Sequence, residues 1–194
     1  MPGNPSRSKL LVPALLALLF VGPFVTAIVL YYYGGDSWRP QGSVAHGVLI
    51  ENPPSLGREP VLLPDGTRTA FIGKWSLLYT GSGNCDRNCQ QALYQLRQVR
   101  LALGKDMSRV QRFFIATSGT PDVGLISSAH PDLLVIDSST AASVRVLATL
   151  GTYSEADVFV VDPLGNIMMR FPADTSMKDM HKDLSLLLKA STIG

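Results

Sequence analysis

The sequence is poor in the residue types on which several common enzyme classes depend. It has two cysteines and three histidines among 194 residues. It shows no Ser-His-Asp set, no phosphate-cradling glycine loop and no H-E-x-x-H motif, so hydrolase and nucleotide-binding functions lack support. Internal repeats and low-complexity tracts are absent as well. The only cysteine pair, Cys85 and Cys89, is therefore the first candidate for chemistry.

An excess of charge of either sign is also missing. The chain has 17 Lys and Arg against 15 Asp and Glu. Two of the basic residues, Arg7 and Lys9, precede a long apolar run, so everything after that run balances at 15 against 15. A domain with no net charge and no basic cluster gives no reason to expect nucleic acid or a polyanion as a partner.

The apolar run itself is the strongest feature near the N-terminus. Residues 10–33 contain no charged side chain over 24 positions, and the run ends in three tyrosines. As a helix it would span roughly 36 Å, enough to cross a hydrocarbon core of about 30 Å with some tilt. Pro13 and Pro23 are compatible with such a helix. We therefore predict a transmembrane anchor over residues 10–33.

The flanking charges predict the orientation of this anchor. Arg7 and Lys9 place residues 1–9 in the cytoplasm by the positive-inside rule, and the bulk of the chain then lies on the other side. A cleaved signal peptide is the alternative, since Val25 and Ala27 form a small-x-small pair. The apolar run continues six residues past that pair, which favours the anchor. We expect a single-pass protein of the inner (plasma) membrane with a periplasmic C-terminal domain.

The exported part divides into a lead-in and one domain. Residues 34–64 are rich in Gly and Pro and indicate a linker, with one short strand at residues 48–50. Residues 65–194 predict strands and helices in the order of an α/β, thioredoxin-like domain. The predicted strands are 74–80, 112–117, 133–136, 157–161 and 166–171, and the predicted helices are 86–103, 141–150 and 176–190.

The cysteines lie where the first of these helices begins. The unpaired N–H groups and the positive end of a helix dipole stabilise a thiolate there. Cys85 and Cys89 lie on one helical face with Cα atoms about 6 Å apart, within the roughly 4.4–6.8 Å range for a disulfide. Arg87 would favour a thiolate and Asp86 would oppose it. The polar residues around the pair indicate that both cysteines are exposed.

Three functions are compatible with such a pair. It can exchange between dithiol and disulfide in an oxidising compartment. Two thiolates can also hold copper(I), although a third ligand must then come from elsewhere. The third possibility is a structural disulfide, but a five-residue loop leaves little chain entropy to remove, so such a bridge would stabilise the fold only slightly.

Two segments carry a more specific signal, GKWSLLYTGSGNCDRNCQ around the cysteines and DVFVVDPLGNIMMRFP around the hairpin. With the anchor, they resemble the Sco/SenC family of thioredoxin-like, membrane-anchored proteins over roughly residues 60–190. That family serves copper delivery to the binuclear copper centre of cytochrome c oxidase subunit II. The resemblance implies that Cys85 and Cys89 match its two copper-binding cysteines, and that the turn at residues 162–165 matches its Asp-Pro-x-Gly turn.

The chain departs from the family pattern at two positions. Gln90 stands where the family has proline, and Ser154 stands where the family has its metal-binding histidine, eight residues before Asp162. The three histidines of the chain are expected to be solvated or capping residues rather than ligands, and they are His46, His130 and His181.

The resemblance implies an assembly factor for a respiratory oxidase, with three alternatives for how it acts. The leading hypothesis is a thiol–disulfide oxidoreductase that keeps the copper-site cysteines of its partner, such as oxidase subunit II, reduced. Cys85 would attack and Cys89 would resolve the mixed disulfide. The second is a copper(I) chaperone that uses Cys85, Cys89 and an unidentified third ligand. The third is a non-catalytic scaffold whose cysteines are structural.

Overall fold

The structure is a computed structural model that describes residues 8–33 and 45–194. The described residues fall into two units, an N-terminal helix and an α/β domain. Arg7 of the predicted cytoplasmic segment and residues 34–44 of the predicted linker lie outside the described residues.

The first unit is helix α1, Ser8–Tyr33, which includes the whole predicted anchor. Pro13 and Pro23 both lie within it. Of the helices in the two described ranges, it is the one that is long and apolar enough to cross a membrane, by length and composition. It is therefore a candidate transmembrane span, as the sequence predicted.

The second unit contains eight strands, four α-helices and one 3₁₀ helix. In chain order they are β1 (Val48–Leu49), β2 (Val61–Leu62), β3 (Arg68–Thr69), β4 (Trp75–Ser82), α2 (Arg87–Ala102), the 3₁₀ helix (Gly104–Arg109), β5 (Val110–Ser118), α3 (Val123–Ala129), β6 (Leu133–Ile136), α4 (Ala141–Leu150), β7 (Val158–Val161), β8 (Ile167–Phe171) and α5 (Met177–Ala190). The predicted strands and helices are all present, with each end within two residues of its predicted position. The hairpin of β2 and β3, the 3₁₀ helix and α3 were not predicted.

Six of these strands form one mixed sheet in the order β1-β8-β7-β4-β5-β6. β4, β5 and β6 are parallel, because each connection between them crosses over through a helix. β7 runs antiparallel to β4, and β8 returns antiparallel to β7 through the predicted Asp-Pro-x-Gly turn. β4 is therefore the central strand from which the cysteine loop emerges.

The alternation of side chains along β4 and β5 divides the core into two layers. On one face, Leu77 and Phe114 pack with the apolar sides of α2 and α5. On the other face, Leu78 and Phe113 pack with α4 and with the segment before β4. Both faces of the central strands are thus covered by helices or by the segment before β4. This explains why β4 and β5 are largely apolar in sequence rather than alternating.

Residues 45–64, which the sequence assigned to the lead-in, pack with the domain in the structure. Leu56, Val61 and Leu63 are buried in the second core layer. The backbone of this segment is also paired, since Leu56 N–H donates to the Gly165 carbonyl at 2.8 Å and β1 pairs with β8. The Gly- and Pro-rich composition predicted a linker and an irregular lead-in, and the described part of it, residues 45–64, is fixed by these contacts.

Candidate functional site

The structure joins the two predicted site residues directly. Cys85 and Cys89 form a disulfide with their Cα atoms 5.0 Å apart. The bond lies just beyond the carboxyl end of β4, at the start of α2. Both cysteines also belong to the core layer beneath α2.

The loop that carries Cys85 is held against the end of β5. The pairing of β4 with β5 shifts by one residue after Gly81, and Gly83 N–H then donates to the Ser118 carbonyl at 2.7 Å. A side chain at Gly83 would meet the backbone of Ser118 and Gly119 at 2.9 Å. Only glycine allows the two backbones to approach this closely. The close approach fixes the position of the loop just before Cys85.

Helix α2 is capped from within the cysteine motif. Asp86 is the N-cap residue, and its carboxylate accepts a hydrogen bond from Cys89 N–H at 3.0 Å. The side-chain amide of Gln90 donates to the Cys85 carbonyl at 3.3 Å. The residues between and after the cysteines therefore hold both ends of the disulfide in place.

The backbone at Cys85 differs from the helical geometry that the spacing predicted. Cys85 precedes α2 and has a φ of +30°, in the left-handed region that non-glycine residues rarely adopt. The chain turns sharply at this residue, which brings the Cα atoms closer than the roughly 6 Å expected for positions four apart on a helix. The two cysteines do form a disulfide, but Cys85 lies in a bent loop and Cys89 lies in α2, so the bond does not run along one face of a helix.

The prediction that both cysteines are exposed is wrong. Each is only 6% exposed, whereas their neighbours Asn84, Asp86 and Gln90 lie at the surface. The polar residues of the motif point outward while the disulfide packs inward onto the apolar side of α2. Access to the sulfur atoms is therefore limited to the openings that flank the bond.

One such opening, which we call the α3 cleft, lies on the Cys85 side. It has a volume of about 120 Å³. Its walls come from the cysteine loop and from α3, namely Gly83, Asn84, Cys85, Gln90, Asp122, Leu125, Ile126, Ala129 and His130. The apolar part of the wall is contributed by the side chains of α3.

The second opening, which we call the acidic cleft, lies on the Cys89 side and measures about 440 Å³. Asp86 and Glu155 line it together with the ring of Tyr79. Burial, followed by the negative charges of Asp86 and Glu155, raises the pKa of the Tyr79 hydroxyl to about 12. The phenol therefore stays protonated at neutral pH.

His130 and Asp122 are titratable groups in the lining of the α3 cleft, and His130 is the buried one. It is the C-cap residue of α3 and is only 6% exposed, so it is a capping residue but not a solvated one. Its Nδ1 atom is buried without a hydrogen-bond partner. Burial, together with the positive charges of Arg112 and Arg97, lowers its pKa. The imidazole is therefore neutral at pH 7.

Arg112 forms a buried cation behind this histidine. One of its nitrogens donates to the Pro131 carbonyl at 2.6 Å, and its Nε and Nη1 atoms are unpaired. Burial, assisted by the positive charge of Arg100, lowers its pKa to about 10, so it remains charged at neutral pH.

The described residues do not complete a copper site of the Sco/SenC type. Within residues 8–33 and 45–194, no group of three or more His, Cys, Asp or Glu side chains is placed to hold a metal ion. Ser154, at the position of the family histidine, donates its N–H to the buried carboxylate of Asp157 at 2.8 Å. Cys85 and Cys89 supply two sulfurs, but no histidine of the described residues groups with them, so the residues do not fit a site with two sulfurs and one nitrogen.

The two remaining histidines are engaged away from the cysteines. The Nδ1 atom of His46 lies 2.9 Å from the buried carboxylate of Asp183, and its Nε2 atom lies 3.3 Å from Asp179. The Nε2 atom of His181 lies 3.2 Å from the Ala102 carbonyl. Both contacts tie α5 to its surroundings, so neither histidine is a candidate for the third ligand.

Several residues around the disulfide were missed by the sequence analysis. Leu125 and its neighbours on α3, together with Tyr79 and Glu155, reach the site from distant parts of the chain. For α3 a signal was present, because Pro121-Asp122 is a helix-start pattern and Asp122 does cap Leu125 N–H at 2.9 Å. Nothing local to Tyr79 or Glu155 signals their position.

Several solved structures have a fold similar to that of this chain. Apo Sco1 from Thermus thermophilus aligns with a TM-score of 0.58 and 22% identity, covering 77% of this chain and 99% of its own. Copper-bound yeast Sco1 aligns with a TM-score of 0.59 and 18% identity, covering 78% and 97%. A thiol:disulfide interchange protein from Chlorobium tepidum TLS aligns with a TM-score of 0.54 and 17% identity, covering 72% and 99%. No significant match was found among curated proteins.

The central sheet, the helices on both of its faces and a cysteine pair where α2 begins define a thioredoxin-like protein. A family model described as "Transmembrane-like, thioredoxin-like, C-terminal domain" matches residues 75–191. The chain belongs to this family. The expected fold, a thioredoxin-like domain that follows an apolar N-terminal helix and resembles Sco proteins, is confirmed.

Proposed function

We propose that the protein is a membrane-anchored, Sco-like factor that exchanges thiols and disulfides during assembly of a respiratory oxidase. The observation that carries this proposal is the disulfide between Cys85 and Cys89, which lies at the head of α2 with a cleft on each side. A bond that is packed from below and open at its flanks is protected from bulk thiols yet accessible to a docked partner.

The exchange proceeds in two steps that balance. In the reduced protein, the Cys85 thiolate attacks one sulfur of a client disulfide, and the other client sulfur leaves as a thiolate. The Cys89 thiolate then attacks the Cys85 sulfur and releases the second client thiolate. Two electrons pass to the client, and the two protons lost by the protein are taken up by the client thiolates. A dithiol reductant outside the cytoplasm regenerates the pair.

The proposed location follows from helix α1. The helix anchors the protein in the inner membrane, with residues 1–9 in the cytoplasm and the domain in the periplasm. The proposed client is the pair of copper-site cysteines of oxidase subunit II, which must be reduced before copper binds. The resemblance to Sco proteins supports this client, and the likeness to a thiol:disulfide interchange protein supports the chemistry.

Copper delivery is the second candidate, supported by the copper-bound Sco structures with the same fold. The donor set described above counts against it, because Ser154 replaces the family histidine and His46 and His181 are committed elsewhere. We therefore rank thiol exchange above metal transfer.

One preparation, the full chain in detergent micelles, tests both functions. The reduction potential of the pair is measured in glutathione buffers, with thiols trapped by alkylation. We expect a value above about −300 mV, in the range of exchange proteins rather than of structural disulfides. Copper(I) is then titrated into the reduced chain, and we expect no stoichiometric, tight binding.

Two single variants assign the roles of the cysteines. Cys89→Ser should accumulate a mixed disulfide with a client peptide, because the resolving thiol is gone, whereas Cys85→Ser should not. A potential far below −300 mV would contradict the exchange function and favour the scaffold. Tight copper(I) binding that is lost in Cys85→Ser would favour the chaperone instead.

A further inference from the structure

The α3 cleft provides more than access to the disulfide. We propose that it is a specificity site, which receives an aliphatic side chain adjacent to the client's cysteine and so selects the disulfides that the protein reduces. This inference rests on the proposed exchange function and adds the chemistry by which the client is recognised.

The first argument is position. Cys85 itself forms part of the wall of the α3 cleft. In a mixed disulfide, the Cα atom of the client cysteine would lie roughly 4.4–6.8 Å from that of Cys85. The next client residue along the chain has its Cα about 3.8 Å further on. A neighbouring side chain of the client therefore reaches the cleft as soon as the sulfur–sulfur bond forms.

The second argument is the apolar character of the α3 wall. Leu125 is 58% exposed although it is a large aliphatic residue, and it stands beside Ile126, which is buried in the core beneath. Ala129, one helical turn after Leu125, continues the same wall. An aliphatic side chain placed between α3 and the cysteine loop would remove this surface from water, and burial of apolar area is the dominant favourable term in association.

The third argument is that the cleft offers no cationic partner for an acidic side chain of the client. The Asp122 carboxylate, which accepts from Leu125 N–H, is itself negative. His130 is neutral at pH 7 because burial and the charges of Arg112 and Arg97 oppose its protonation. An acidic client residue would lose its hydration here without gaining a partner, and that loss is costly.

The fourth argument is the volume of the α3 cleft and its difference in charge from the acidic cleft. The α3 cleft, at about 120 Å³, exceeds the roughly 10–15 Å³ needed for one water by about tenfold, so it admits a whole side chain of moderate size. The acidic cleft on the other side of the bond is larger and carries Asp86 and Glu155. The two sides of the disulfide therefore differ in polarity, and the aliphatic residue of the client is assigned to the Cys85 side.

The experiment compares two peptide disulfides that differ in the residue beside the cysteine, leucine in one and aspartate in the other. The full chain in detergent, reduced with dithiothreitol and freed of it, is mixed with each peptide, and kcat/KM is measured in the presence of a regenerating dithiol. Dithionitrobenzoate, a small aromatic disulfide without a peptide backbone, serves as the reference substrate. We expect the leucine peptide to be reduced about tenfold faster than the aspartate peptide.

The matched variants are Leu125→Ser and Leu164→Ser. These leucines are 58% and 57% exposed, but Leu164 lies in the turn between β7 and β8 and lines neither cleft. Leu125→Ser should lower the leucine-to-aspartate ratio at least threefold. Leu164→Ser should change neither this ratio nor the rate at which dithionitrobenzoate is reduced. Ala129→Phe, which fills the cleft from an exposed position, should abolish the preference.

The outcomes separate this inference from the function on which it rests. Reduction of dithionitrobenzoate with equal rates for both peptides, or a preference that survives in both Leu125→Ser and Ala129→Phe, overturns the specificity site and leaves thiol exchange standing. Failure to reduce any of the three disulfides overturns the exchange function itself. A leucine preference that depends on Leu125 and not on Leu164 supports the α3 cleft.

Discussion

Reduction of the disulfide should change the stability of the domain very little. The bond between Cys85 and Cys89 closes a loop of only five residues. By the chain-entropy relation, such a loop contributes about 2 kcal/mol at 25 °C. The left-handed backbone at Cys85, with φ at +30°, costs about 1–2 kcal/mol while the bond holds it there. The two contributions nearly cancel, so the net stabilisation is within about 1 kcal/mol.

Urea unfolding of the oxidised and the reduced full chain, followed by circular dichroism in the same detergent, measures this difference. With a slope near 2 kcal/mol per molar urea, 1 kcal/mol corresponds to a shift in midpoint of about 0.5 M. The double variant Cys85→Ser/Cys89→Ser serves as the control, since its midpoint should be the same under oxidising and reducing conditions.

A midpoint that falls by about 1.5 M or more on reduction would refute the reasoning, because it would mean that the bond contributes about 3 kcal/mol. Such a bridge would be structural, and the pair would then be poorly suited to give and take electrons. A small shift is what an exchange couple requires, since neither redox state of the protein is then strongly favoured by the fold.

Three further predictions concern the surroundings of the pair. His130→Gln should flatten the loss of stability on acidification. A histidine whose pKa is lowered in the folded state stabilises the fold fully above the unfolded value of about 6.5, and this contribution is lost as pH falls, by at most about 1.4 kcal/mol per pH unit. Urea titrations from pH 8 to 5 test this, and equal slopes for the wild type and His130→Gln would contradict it. Gly83→Ala should destabilise the domain by about 1–3 kcal/mol, because its Cβ would meet backbone at 2.9 Å. Gly124→Ala, where the added Cβ makes only ordinary contact, should not, and equal midpoints for the two variants would contradict the packing argument. Asp86→Ala should cost about 0.5–2 kcal/mol through loss of the cap on α2, whereas Asp86→Asn should stay within a few tenths of the wild type, both by urea midpoint.

Much of the fold could be predicted because its elements carry local signals. The apolar period of α2 comes from positions three and four apart, such as Leu93, Leu96 and Val99, and these residues are buried as predicted. The parallel pairing of β4 and β5 follows from the handed crossover through α2. The hairpin of β7 and β8 follows from its Pro/Gly turn.

The features that the sequence did not predict correctly have physical reasons of their own. Helix α3 has seven residues, too few for a clear apolar period, so only its cap at Asp122 marks it in the sequence. The lead-in is predicted from its composition alone. Composition cannot distinguish a linker from irregular backbone that is fixed by contacts, such as the hydrogen bond from Leu56 N–H to the Gly165 carbonyl. The exposure of the cysteines was inferred from their polar neighbours, but successive residues near a helix start point in different directions.

The sequence by itself determined the apolar N-terminal helix, the order of strands and helices, and the spacing that lets Cys85 and Cys89 bond. These follow from interactions between residues near each other in the chain. Only the tertiary structure decided how the bond is approached, because Leu125 and His130 reach Cys85 from beyond β5, and Glu155 reaches Cys89 from the segment before β7. Such contacts depend on how the sheet brings distant segments to one edge, which no local pattern encodes. They leave the disulfide buried, with an apolar opening at Cys85 and an acidic one at Cys89.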